Sequence, residues 1–212
     1  MNRKIALGVG CLAVAAVAAW MGYWYGYGAR AAHLAASDDP ADRLEAIRQL
    51  RGKGSALAER TLVTLADDPD PRVAAWAVRA LAASPVDRRA ELLGALLAGG
   101  RTPAIRAEAA QAVGKLPDTD VQILIDVLNN DSEEPAVRAG AARGLSHKKS
   151  LEALPTLVEK LNDPDQAVRL WSITAIHSTV VVRFPYQAEA PPAKRAEQIS
   201  NIKRILKKHN LL

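Results

Sequence analysis

The chain has 212 residues, 49 % of them hydrophobic and only 4 % aromatic, with one Cys and a formal charge of +5. That apolar content excludes a disordered chain, and a lone Cys11 excludes both a disulfide framework and a zinc site built on several thiolates. The positive balance suggests an anionic partner only if the charge is gathered in one place. It is not. Residues 1–30 carry Arg3, Lys4 and Arg30 and no acid, and residues 192–212 carry six bases against Glu197. The body between them, 31–191, is mildly acidic.

In chain order, residues 1–4 read as a short cytoplasmic start. Residues 5–27 read as a transmembrane signal-anchor helix. The uncharged run Ile5–Ala29 holds 25 residues, about 37 Å of helix against a hydrocarbon core of about 30 Å. Trp20, Tyr23, Trp24, Tyr25 and Tyr27 cluster at its end as candidate interface anchors. Arg3 and Lys4 before it predict a single-pass protein of a bacterial inner membrane. The N-terminus would be cytoplasmic and the remainder periplasmic. Ala16-Val17-Ala18 leaves open a cleaved signal peptide instead. Ala18, Gly22 and Gly26 lie four apart and offer a homodimer stripe, a feature common by chance in such segments. Residues 28–36 read as a juxtamembrane linker.

Residues 37–177 repeat. Val73…Ala77…Leu81, Ile105…Ala109…Val113, Val137…Ala141…Leu145 and Val168…Ser172…Ile176 share one spacing, and Asp42…Ala46…Leu50 is a weaker copy. Second apolar segments end at Leu65, Leu97, Leu128 and Leu161. Each unit of 31–33 residues is therefore a pair of helices, A then B, with one buried stripe per helix. Ala or Ser at the +4 position of every A helix predicts a close helix approach. A single pair cannot bury both faces, whereas a stack can. Asp68-Pro69-Asp70-Pro71 and Asp163-Pro164-Asp165 supply capping acceptors and first-turn prolines to A helices. Thr102-Pro103, Ser84-Pro85 and Ser150 suggest further starts, Ser150 for a helix over Leu151–Leu161.

The runs at 68–73, 135–145 and 153–169 resemble HEAT repeats of the bilin-lyase-like subtype. The resemblance implies an all-α, HEAT-type α-solenoid of about four to five helical hairpins, here preceded by one transmembrane helix. It also implies a ladder between stacked repeats. Arg43, Arg106, Arg138 and Arg169 would supply its guanidinium groups, and Asp68, Asp131 and Asp163 its carboxylates. The second copy carries Ala74 where the Arg belongs, so the ladder is broken or shifted there.

Catalytic chemistry is not evident. His33, His147, His177 and His209 lack metal-ligand spacing and an orienting acid. The run 51–54 lacks the preceding strand of a phosphate loop. No cofactor is implied. With B helices taken to line the concave face, that face is slightly acidic and excludes nucleic acid as a partner. Trp76 and Trp171 share the +3 position of their A helices, on the flank of the buried stripe. Each is a candidate partner anchor or a ring packed under a local loop, which for Trp171 would be 184–186. Residues 178–191 read as a Pro-containing linker. Residues 192–212 read as a basic amphipathic helix carrying Lys194, Arg195, Lys203, Arg204, Lys207 and Lys208. It either caps the stack or contacts anionic lipid or an acidic partner.

The functional expectation is a non-enzymatic, membrane-tethered scaffold that holds another protein, with lipid met through the N-terminal helix. The alternative is a lyase- or chaperone-like module gripping a cofactor or substrate protein in the concavity.

Overall fold

A computed structural model describes residues 26, 28–98, 101–180 and 182–212. Among the described residues every regular element is helical. Residues 28–35, expected as a linker, are helical, and Ala31 is fully buried in the core. Four hairpins follow. They are α1 (Pro40–Leu50) with α2 (Ala56–Leu65), α3 (Pro71–Ala83) with α4 (Arg89–Leu97), and α5 (Pro103–Lys115) with α6 (Gln122–Asn129). The fourth pairs α7 (Pro135–Lys148) with α8 (Leu154–Glu159). Next come α9 (Gln166–Thr179), a fifth A helix, and α10 (Pro192–Lys208).

Local chemistry sets the starts. Pro stands in the first turn of α1, α3, α5, α7 and α10, where a missing N–H costs nothing. Asp39, Asp70 and Asp165 accept backbone N–H groups of α1, α3 and α9, and Ser55 does so for α2. Ser84 does the opposite of what its Pro neighbour suggested. It ends α3, and its hydroxyl donates to the Ala80 carbonyl at 2.8 Å. Thr102 and Ser150 precede helical segments without a side-chain cap. The helix expected over Leu151–Leu161 is split into α8 flanked by 3-10 turns at Leu151–Ala153 and Lys160–Asn162.

The packing corrects which row faces inward. A helices of successive repeats pack extensively on one another, whereas B helices barely meet along their own row. Between α5 and α7 the contact is made by backbone. A Cβ at Gly114 would stand 2.3 Å from Gly144 Cα, and one at Gly140 would stand 2.5 Å from the Ala107 carbonyl oxygen. B helices instead present Leu to the core, as Leu62, Leu93, Leu96, Leu124 and Leu128 do at 0–2 % exposure. A stack whose rows have unequal spacing curves toward the closer one. The A row, not the B row, is the inner row.

The far end of the stack is closed by its own chain. Phe184 is buried, stacks on His177 with ring centroids 6.1 Å apart, and donates its N–H to His177 Nε2 at 3.0 Å. Tyr186 donates its hydroxyl to the Leu161 carbonyl. Helix α10 then lays Ile199, Ile202 and Leu206 against α8 and the following turn, and Ile205 is partly buried. Lys194, Lys203, Arg204, Lys207 and Lys208 are exposed, whereas Arg195 is half-buried and donates to the Ala190 carbonyl at 2.7 Å.

The membrane placement does not stand. No helix among the described residues is long and apolar enough to cross a membrane. The longest of them, α10, has 17 residues, about 25 Å by helical rise, and six Lys or Arg. The expected span 5–27, with its anchors Trp20, Tyr23, Trp24, Tyr25 and Tyr27, lies outside the described residues except for Gly26.

Candidate functional site

The ladder residues come first, because they fix the spacing of the A row. Arg43 grips Asp68 through two bonds, Nε to Oδ2 at 2.7 Å and Nη2 to Oδ1 at 3.0 Å. Its third donor serves the carbonyls of Ser37 and Asp38. Arg138 grips Asp163 in the same bidentate way at 3.2 and 3.1 Å, with side chains only 5 % and 1 % exposed. Arg106 does not meet Asp131. It takes Glu133, whose carboxyl is held below its usual range mainly by that guanidinium against the opposing effect of burial. Asp131 is exposed and meets Lys160 at 2.6 Å. Arg169 has no acid. It binds the carbonyls of Asp163, Pro164 and Ala188 at 2.7–2.8 Å, which ties α9 to the closing segment.

At the second copy, Ala74 is buried and Arg72 folds onto its own cap, Asp70, holding that carboxyl at about 2. A different pair spans the step. Arg101 binds Asp67 at 2.7 and 3.1 Å. Sequence reasoning also missed Lys148, whose ammonium reaches back one repeat to the carbonyls of Leu116 and Thr119 at 2.5 and 2.6 Å. Burial pushes its pKa down. A Lys at the end of an A helix also occurs as Lys115, so its presence alone did not show that Lys148 ties one repeat to the preceding one.

These ties hold the A helices side by side, and a groove of about 390 Å³ runs across them. Its floor is methyl groups: Ala74 and Ala75 from α3, Ala104 and Ala107 from α5, and Ala136 and Ala139 from α7. Small floor residues follow from the same close backbone approach that requires Gly140. Trp171 of α9 closes one end, with the Arg143 guanidinium 4.7 Å from its ring centroid. It lies beside the preceding repeat, and the ring that Phe184 stacks on is His177. A neighbouring depression of about 280 Å³ on the same row is lined by Trp76, Arg79, Arg51 and Lys115. Trp76 is 45 % exposed. Arg79 lies 5.5 Å from its ring and reaches across to Glu108 with bonds of 3.0 and 2.5 Å.

Gln111 belongs to both depressions. The residue is only 7 % exposed, and what remains open of it faces the depressions. Gln111, Arg79 and Arg143 occupy one register, six residues after the first apolar position of each A helix. That column was legible in the repeat, but its importance depended on the A row being inner. His147 sits one turn beyond Arg143. Burial first, then Lys115 and Arg143, push its pKa down. No group of His, Cys, Asp or Glu among the described residues could hold a metal ion.

The sequence profile of HEAT repeats matches residues 29–114 and 121–183. No curated protein matches the chain. Among solved structures, an engineered protein is similar at 22 % identity, with 84 % of this chain and 87 % of that chain covered and a TM-score of 0.45. With the profile spanning well over half its length, the chain belongs to the HEAT-repeat family.

Proposed function

We propose that the protein is a non-enzymatic scaffold that holds a segment of another protein along its A row. The observation that carries this reading is the groove across α3, α5 and α7, with an apolar floor, the Trp171–Arg143 pair in its lining and the Trp76–Arg79 pair in the neighbouring depression. Repeats of this family suit protein binding because the stacked helices present a long, fixed surface whose core is independent of what it touches. Trp and Arg are among the residue types enriched where binding energy concentrates. The other described features are consumed by structure: the ladder by repeat stacking, and α10 by the closing of the far end.

A photo-crosslinking side chain placed at Ala136, exposed on the groove floor, tests this reading. The control is the same group at Ile123, exposed on the outer row. Expected is a discrete crosslinked polypeptide from Ala136, lost on Trp76→Ala or Trp171→Ala, and none from Ile123. Equal labelling from both positions would reject the reading.

A further inference from the structure

The occupant of the groove has a definable chemistry, and this inference rests on the scaffold reading above. The rows differ in charge. Helices α3, α5 and α7 carry Arg72, Arg79, Arg106, Lys115, Arg138, Arg143 and Lys148 against a single acid, Glu108. The ladder and cap pairs neutralise Arg72, Arg106 and Arg138, and Glu108 is taken by Arg79. Asp68, the other acid at the groove, is committed to Arg43. Three cations at the grooves have no carboxylate partner among the described residues: Arg143, Lys115 and Arg51. No uncommitted carboxylate lines either depression.

The second observation is Gln111. Its side chain is largely buried, lines both depressions and makes no hydrogen bond to another described residue, so its amide is left to the groove side. That amide offers an occupant a donor and an acceptor together. An extended polypeptide does this at every residue, through N–H and C=O.

We infer that the A-row groove binds an extended, acidic polypeptide segment. An apolar side chain of the segment lies on the alanine floor beside Trp171, and the segment continues past Gln111 toward the depression at Trp76. Backbone amides meet Gln111, and carboxylates meet Arg143 and Lys115. A nucleic acid fits less well. Three uncommitted cations do not make a phosphate track, and one face of each Trp is already covered by a guanidinium, which leaves less ring for a base to stack on.

The test uses the full chain and three fluorescein-labelled probes read by anisotropy at low salt. One is a twelve-residue peptide alternating Glu and Leu, one is the same peptide with Lys for Glu, and one is a single-stranded oligothymidylate. The acidic peptide should bind at least tenfold more tightly than the basic one. Arg143→Ala with Lys115→Ala should weaken it at least tenfold while the thermal melt is unchanged, and Gln111→Leu should weaken both peptides. Rising salt should erase the difference between them. Equal binding of the two peptides, no binding of either, or tighter binding of the oligonucleotide would overturn the inference. The Ala136 crosslink is read separately. If it captures a basic or neutral segment, the charge assignment fails and the scaffold reading stands. If it captures nothing, the scaffold reading fails as well.

Discussion

The A and B rows solve the same packing problem in opposite ways. A helices α3, α5 and α7 run 13–14 residues and touch through Ala and Gly, so their backbones define the spacing. B helices α4, α6 and α8 run 6–9 residues and fill space with Leu. Close backbones leave no room for side chains between neighbours, so the A side chains that remain point outward onto one continuous face. That face collects Trp76, Trp171, Gln111 and the uncommitted cations. The row with the smallest residues is therefore the one with the most surface chemistry.

The largest expected effect separates a buried rung from an exposed one. Arg138→Ala leaves Asp163 charged and buried without its partner and should cost about 3–5 kcal/mol. Arg101→Ala, removing the half-exposed pair with Asp67, should cost about 1 kcal/mol or less. Urea midpoints of the two variants measure the gap, and similar losses would mean that the ladder is not what sets the A-row spacing.

A smaller effect contrasts the rows directly. Leu128→Ala on the B row opens a cavity and should cost about 2–5 kcal/mol. Gly144→Ala on the A row adds a Cβ 2.7 Å from the Ala110 carbonyl oxygen and should cost about 1–3 kcal/mol by overpacking. In an uncrowded helix the same Gly→Ala change gains about 1 kcal/mol, so a rise in melting temperature would show that the A backbones are not in contact.

Acid should act mainly at the closed end. His177 is held below its ordinary 6.5, chiefly by burial, and its Nε2 must stay unprotonated to accept from Phe184. A His with a lowered folded pKa gives stability that is complete above the unfolded value and declines as pH falls through 6.5 toward the folded value. Melting temperature should therefore drop below pH 6.5, and His177→Gln should flatten that part of the profile. His147 contributes in the same direction on the inner face. The smallest effect belongs to Asp131→Ala. Its carboxylate is 87 % exposed, and removing the Lys160 pair should change stability by less than about 1 kcal/mol.

Much of the architecture is legible in the sequence because the repeat enforces it. The apolar positions recur, and the Asp-Pro turns name the starts of α3 and α9. The inner row is less legible, since amphipathic stripes say which face is buried but not which helix row is more closely spaced. Gly140 and Gly144, both inside one helix, were the available clue: glycine there is costly unless another backbone must come near. The partner of Arg106 was misread because the turn before α7 is built differently. There, Glu133, two residues before Pro135, reaches the guanidinium, and Asp131 points away to Lys160. Trp76 and Trp171 were visible as outliers in their column. The groove between them was not, because it is made by the residues that are smallest.

Arg169 closes the argument at the other end of the stack. Arg43, Arg106 and Arg138 each offer a guanidinium to a carboxylate on the following turn, and at the second step Arg101 reaches back to Asp67. Arg169 instead turns Nε and Nη1 to carbonyls of its own chain, Ala188 among them. An array of near-identical units would repeat the same joint without end, and this rung breaks the repetition: the chain's own closing segment takes the place that a following repeat's turn holds at the other ladder arginines.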